Sequence, residues 1–279
     1  MTNAGAPVTD AFRLDGRVIV ITGGAGLLGR RHAEAIAEAG GIPVLGDLDV
    51  EAADRHARAL SERTGVAASA VVLDVTSKES CERALETILA RHGRLDGLVN
   101  NAARNPKVED GSIGSTRFET LSLATWSKDL DVGLTGAFLA SQVFGGELAK
   151  RRSGVIVNIA SDLAVISPDQ RLYRKPGLPE SEQPVKPVTY SVIKAGLAMM
   201  TKYLATYWAE AGVRVNALSP GGVYAGQPDD FVEKLATRIP MARMAREDEY
   251  KAALVFLCSD ASSYMTGHNL VIDGGRTCW

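Results

Sequence analysis

The stretch VTYSVIKAG, residues 188–196, sets Tyr190 four positions before Lys194. On a helix that spacing puts both side chains on one face. Of the seven tyrosines in the chain, Tyr190 alone has a lysine at that distance. A phenol with a pKa near 10 is a poor base at neutral pH, and an ammonium beside it favours the phenolate and brings that pKa toward a useful range. The pair can therefore move a proton at an oxygen atom. Packing of Tyr190 in the core, with Lys194 reaching solvent, is the other reading the two residues permit.

A second group with chemical capacity is the turn in VIVITGGAGLLGRRHAEAIAEAG, residues 18–40, which reads as a strand, a glycine-rich turn and an amphipathic helix. Gly23, Gly24, Gly26 and Gly29 let the backbone pass close to a pyrophosphate, whose charge the first helical N–H groups and the helix dipole offset. Any tight strand-to-helix turn favours glycine, but this one follows the first strand and opens the first helix, as a dinucleotide site requires. Asp47 ends the second strand and can accept both ribose hydroxyls of an adenosine. Its charge would repel a 2′-phosphate by roughly 1–4 kcal/mol, so NAD is expected over NADP. Asp47 or Asp49 could instead cap the next helix, and Arg30 and Arg31 could soften the preference.

These groups need elements to hold them. RVIVITGG (17–24), IPVLGD (42–47), ASAVVLDV (68–75), LDGLVNNA (95–102), GVIVNIAS (154–161), VRVNALSP (213–220) and NLVIDGG (269–275) read as strands. Most carry consecutive apolar residues, as strands buried on both faces do. Between them lie helical stretches, several ending at a glycine stop signal: Gly40, Gly93 and Gly212. The alternation predicts an α/β fold with one doubly wound parallel sheet covered on both sides. Residues 1–13 are expected to be an N-terminal tail and 14–279 a single domain. Two connections are long: 103–118, and 162–189 with five prolines, which cannot be a continuous helix. Both follow strands and are expected, with 222–245, to form lids at the carboxyl edge of the sheet.

With 31 basic and 33 acidic residues the net charge is −2, which gives no electrostatic reason for nucleic acid or membrane binding. The first residues show no signal-peptide pattern, and no apolar run approaches a membrane span. Cys81, Cys258 and Cys278 are far apart and include no CxxC, so reduced cysteines, no metal site and a cytoplasmic location are expected.

TGGAGLLG, LDV at 73–75, NNA at 100–102, NIAS at 158–161, YSVIK at 190–194, SPGG at 219–222 and TGHNLVIDGG at 266–275 occur in an order that resembles the short-chain dehydrogenase/reductase family, a Rossmann-type fold. The resemblance covers residues 14–279. Within the family, the long loops and NIASDLAVISP look similar to oxidoreductases of flagellin-modification and nonulosonic-acid sugar biosynthesis. The resemblance implies interconversion of a secondary alcohol and a ketone by hydride transfer. Tyr190 would be the acid/base, Lys194 its partner and a ligand of the nicotinamide ribose, and Ser161 a hydrogen-bond partner of the reacting oxygen. It implies a cofactor site formed by Thr22, Gly23, Gly24, Gly26, Leu27, Leu28, Gly29, Asp47, Leu48, Asp74, Val75, Asn101, Ala102, Tyr190, Lys194, Pro220, Gly221 and Val223. Asn100 and Asn101 could equally satisfy strand-end backbone groups.

The chain departs from the family pattern in four places. Ser161 lies 29 positions before Tyr190, about twice the usual gap, with Ser167 as a substitute. Gly133 stands where a relay asparagine is usual, Ala225 where a hydroxyl is usual, and Leu27 where a glycine is usual. The lid cations Arg104, Lys107, Arg117, Arg171, Arg174, Lys175 and Lys186 suit a phosphate or carboxylate on a sugar, phosphosugar or sugar-nucleotide substrate, or serve solubility alone. A non-catalytic NAD-binding sensor and a sugar-nucleotide epimerase or dehydratase are the competing readings. The apolar circumference of AGLAMMTKYLATYWAEAG predicts a homodimer or homotetramer.

Overall fold

The structure, a computed structural model, describes residues 7–104, 108 and 116–279. Seven strands form one parallel sheet: β1 (Val18–Thr22), β2 (Ile42–Asp47), β3 (Ser69–Val72), β4 (Gly97–Asn100), β5 (Gly154–Ile159), β6 (Val213–Pro220) and β7 (Asn269–Ile272). Their order is β3-β2-β1-β4-β5-β6-β7. All seven strands expected from the sequence are present, each within its expected range.

Alternation along β1 shows why the strands are apolar throughout. Ile19 and Ile21 pack on one face with α1 (Leu27–Glu38), α2 (Val50–Thr64) and α9 (Lys251–Cys258). Val18 and Val20 pack on the other with α3 (Lys78–His92), α7 (Val188–Tyr207) and a long helix over 123–150. The α portions of that long helix are α4 (Leu123–Leu130), α5 (Gly136–Ala140) and α6 (Gly146–Lys150), joined by π turns at Asp131–Thr135 and Ser141–Gly145. With both faces covered, no strand can alternate with polar residues.

Helix ends follow local chemistry. Asp49 and Ser77 accept hydrogen bonds from Ala52 N and Ser80 N and so cap α2 and α3. Gly65 and Gly93 end them at φ 75° and 70°. Helix α7 stops at Tyr207, short of Gly212, because the 3-10 turn Ala209–Ala211 intervenes. Residues Val8–Phe12, expected as part of a tail, form a 3-10 turn whose Phe12 ring lies 6.3 Å from that of Phe256.

The order of strands reverses direction between β1 and β4, and there the carboxyl ends part to leave a crevice. Backbone N–H groups of Asn101 and Ala102 both donate to Thr22 Oγ1 at 3.0 Å, locking the base of the crevice. A buried polar chain ties the sheet to the helices behind it. Asn100 Nδ2 donates to Asn158 Oδ1 (2.8 Å) and Ser141 Oγ (3.0 Å), and Asn158 Nδ2 donates to Thr201 Oγ1 (2.8 Å).

Of the lids, most of 103–118 lies outside the described residues. The 162–189 segment holds 3-10 turns at Asp162–Ala164, Gln170–Tyr173 and Glu180–Glu182 and no longer helix before α7 begins at Val188. It folds around two amides. Gln183 bonds Lys175 N and O and Leu178 O, and Gln170 bonds Lys186 N and O. Leu172 then packs with Phe231 and Leu235 of α8 (Asp229–Ala236), Ile239 and Met244, so this lid and 222–245 share a small apolar cluster. Among the described residues, no helix is long and apolar enough to cross a membrane.

Candidate active site

The crevice between β1 and β4 opens into a cleft of about 970 Å³. At one end the turn after β1 approaches itself closely: a Cβ at Gly29 would stand 2.2 Å from Gly23 O, and one at Gly24 would stand 2.8 Å from Leu45 Cα. Gly26 begins α1 without a side-chain cap, so the first N–H groups of that helix are left to an anion. Asp47 sits beside this turn, its Oδ2 accepting from Ala25 N (2.9 Å) and its Oδ1 from Asp49 N (3.1 Å). Asp49, not Asp47, caps α2. The cleft is therefore suited to a dinucleotide: a side-chain-free turn and uncapped helix for phosphates, and a carboxylate where an adenosine ribose would lie.

Gly23, Gly26, Leu27, Leu28, Asp47, Leu48, Asp74, Val75, Asn101, Ala102, Tyr190, Lys194, Pro220, Gly221 and Val223 all border the cleft. Three expected contacts do not. Thr22 is buried with its hydroxyl on the Asn101 and Ala102 amides, and Gly24 and Gly29 shape the turn from behind, where no side chain would fit. Asn101 has a structural task as well, since its Nδ2 donates to Thr22 O (2.9 Å) and Gly23 O (3.0 Å). Val223 O accepts from Gln227 Nε2 (2.9 Å), and Gln227 Oε1 accepts from Ala225 N (2.7 Å). A side-chain amide thus serves the segment where the Ala225 methyl cannot.

At the other end stand Ser161, Tyr190 and Lys194. The long insertion bulges away and leaves its anchors together, so Ser161 is close enough to act on the Tyr190 phenol, while Ser167 is exposed. Lys194 Nζ is 5.7 Å from the centre of the Tyr190 ring and donates to Ile159 O at 2.7 Å. Lys186 of the lid reaches the same ring, with Nζ 4.2 Å from its centre. A Cβ on Gly133 would meet Ile193 Cγ2 at 2.8 Å, so an asparagine there would require the Ile193 side chain of α7 to move. Lys194 is held by the Ile159 carbonyl instead.

The electrostatics correct one expectation. Burial pushes the Tyr190 phenol above its ordinary value; the Ser161 hydrogen bond opposes this and the charge of Asp162 adds to it. Burial, helped by the nearby Lys186 charge, pulls Lys194 down to about 8. An ammonium that loses its proton near 8 is already neutral when the phenol titrates, so in the protein alone it does not acidify Tyr190. The resting site therefore holds a neutral phenol, a proton donor. The lid cations are also more engaged than expected. Arg171 pairs with Asp169, Arg174 with Glu180, Arg117 with Glu119 and Arg104 with Asp129, while Lys107 lies outside the described residues. Of the cations named from the sequence, Arg104 and Lys186 border the cleft. The residues missed were Asp162 and Arg276, a buried pair beside Ser161 with a 2.7 Å contact; Asp162 neighbours a named serine, but nothing local marks Arg276.

Lys194 has a folded pKa near 8 against 10.5 for an ordinary lysine. Below pH 8 the fold holds a dehydrated charge at a penalty on the order of 3 kcal/mol, which fades as pH rises toward 10.5 because the unfolded chain then binds more protons than the folded one. The unfolding free energy of Lys194→Met minus that of the unsubstituted protein should fall by about that amount between pH 7.5 and 10.5 in urea titrations. A difference that does not move with pH would show that the ammonium is well hydrated.

Comparison with known proteins agrees with this geometry. The family profile described as short chain dehydrogenase matches residues 17–173, and one described as enoyl-(acyl carrier protein) reductase matches 181–277. A D-threitol dehydrogenase of Mycolicibacterium smegmatis is 36% identical over 274 residues, covering 95% of each chain. An NAD-dependent glycerol dehydrogenase of Listeria innocua is 33% identical, covering 95% of this chain and 96% of its own. The crystal structure of a gluconate 5-dehydrogenase from Burkholderia cenocepacia, in complex with NADP and tartrate, superposes with a TM-score of 0.85 at 29% identity, covering 98% of this chain and 100% of that one. With the parallel sheet, the glycine turn and the facing tyrosine and lysine already in place, this chain belongs to the short-chain dehydrogenase/reductase family and is an NAD(P)-dependent oxidoreductase.

Proposed function

We propose that the protein interconverts a secondary alcohol and a ketone on a polyol or sugar-type substrate, with NAD preferred. The observation that carries this reading is the convergence of Ser161, Tyr190 and Lys194 on the cleft that starts at the uncapped glycine turn. The glycine turn, Asp47 and Lys194 would hold a nicotinamide dinucleotide, which would supply hydride exchange with the carbinol carbon. The chain's own groups handle the oxygen. Tyr190 supplies its proton to a ketone oxygen, or, after giving its proton to solvent, receives one from an alcohol as phenolate, and Ser161 hydrogen-bonds the same oxygen. Lys194, held on Ile159 O, keeps a positive charge beside the phenol at neutral pH. Tyr173, Phe231, Leu235 and Met244 of the lids form an apolar wall of the cleft that would limit water at a bound substrate.

The threitol, glycerol and gluconate dehydrogenases among the relatives support a polyhydroxylated substrate, and Lys186 beside Tyr190 suits one that also carries a carboxylate or phosphate. The gap at Gly133, which favours a binding protein without catalysis, loses weight because the Ile159 carbonyl already fixes Lys194. The unpaired cysteines suit a reducing, cytoplasmic setting. Helix α7 presents Met199, Tyr203 and Tyr207, each more than 60% exposed, and α5 presents Phe138, a face that suits a two-fold contact between copies of this chain.

Three outcomes test the reading. Tyr190→Phe should lower turnover of polyols and aldonates by about 10²–10⁴-fold while dinucleotide affinity holds, and turnover confined to acyl thioesters would overturn the substrate class. Asp47→Ser should shift preference toward NADP by about 10- to 10³-fold in kcat/KM, since the repulsive charge is gone. Sedimentation should give a dimer or tetramer, and a monomer at micromolar concentration would remove the proposed two-fold face.

A further inference from the structure

Ser161 does not meet the cleft alone. Its Oγ donates to Asp162 Oδ1 at 2.7 Å, and Leu163 N donates to both Ser161 Oγ (3.2 Å) and Asp162 Oδ1 (2.8 Å). The other carboxylate oxygen, Oδ2, accepts from Arg276 Nη1 at 2.7 Å. Asp162 and Arg276 are 3% and 9% exposed, yet both border the cleft. They come from opposite ends of the second half of the chain. Arg276 is brought back over the site by a turn in which Asp273 accepts from Gly275 N and Thr277 N, and that turn packs on Gly221, where a Cβ would stand 2.8 Å from Asp273 Cα.

A staple for the C-terminal turn could have been placed anywhere on the sheet edge. Here it ends on the carboxylate that holds the proton of the reactive serine. A hydroxyl has one proton to give. While Asp162 takes it, Ser161 can only accept from the Tyr190 hydroxyl, and it must leave Asp162 to donate to a substrate oxygen. An unpaired buried carboxylate would grip that proton strongly. Arg276, on the opposite oxygen, draws charge away from Oδ1 and weakens the grip. We propose that Asp162 and Arg276 are a positioning pair for this reaction, with Arg276 setting the Asp162 carboxylate and Asp162 setting which way the Ser161 hydroxyl points. This rests on the Tyr190 and Ser161 roles given above.

The test is a cycle of variants in the full-length enzyme with NAD and a polyol that it turns over. Arg276→Gln should lower kcat about 10- to 100-fold, the worth of one charge-assisted hydrogen bond, with the dinucleotide Kd changed less than about threefold. Arg276→Lys should recover most of that loss. On a Ser161→Ala background, Arg276→Gln should cost almost nothing further, because the pair acts through the serine. Asp162→Asn, which keeps the acceptor oxygen and the volume, serves the same cycle if Arg276→Gln does not fold. Full additivity with Ser161→Ala overturns the proposal, as does loss of melting temperature with unchanged kcat in the folded fraction. Should Ser161→Ala leave no measurable rate, failure of Arg276→Lys to restore kcat overturns it. Retained turnover in Tyr190→Phe overturns the functional reading and the pair with it, whereas an inactive Tyr190→Phe with an additive cycle removes the pair alone.

Discussion

A dehydrated ammonium is the constraint around which this molecule is arranged. Lys194 is 5% exposed and lies near another cation, Lys186, so the fold carries its charge at a cost and must supply an acceptor in place of the lost water. The Ile159 carbonyl is that partner, and it can serve because β5 ends there with its other backbone groups engaged by β6. The polar chain from Asn100 through Asn158 to Thr201 then sets the distance between that strand and the helix that bears the lysine. Apolar residues at those positions would pack well, but they would not dictate one relative position of strand and helix. The chemistry at the end of the cleft is a result of that fixed geometry.

The cofactor end obeys a different rule, that of access. Its turn works because side chains are missing: Gly24 lies against Leu45, and Gly29 lies against the carbonyl of Gly23. Leu27 occupies a position that the family pattern gives to glycine, and the turn tolerates it because that residue opens α1 and borders the cleft without entering the tight loop. Asp47 is joined to the turn through the Ala25 amide, so the group that would select the ribose also supports the phosphate cradle.

Much of this was legible in the chain. The strands stood out because burial on both faces removes polar alternation, and the Tyr190 and Lys194 pair because one helical turn fixes its geometry. The structural task of Thr22 was not legible, because a hydroxyl next to a glycine turn looks the same whether it faces a ligand or, as here, two backbone amides. The direction of the Tyr190 shift could not be read, since it depends on how far Lys194 is itself dehydrated, a property of packing and not of spacing. Asp162 and Arg276 are 114 positions apart, and only the folded turn after β7 brings them into contact. Arg117, Arg171 and Arg174 misled for the opposite reason: they are close in sequence to acids that pair with them.

The 162–189 segment has one further consequence. Gln170 and Gln183 satisfy much of its backbone from within, and beyond the Asp162–Ala164 turn, which packs on β6 and α7, the apolar contacts of Leu172 run to 222–245. The stretch from 165 to 187 therefore has the character of a cassette, whose length and side chains can vary while Ser161, Asp162 and Tyr190 stay where the scaffold puts them. A change of substrate on this framework would then need a new loop and leave the hydride chemistry alone.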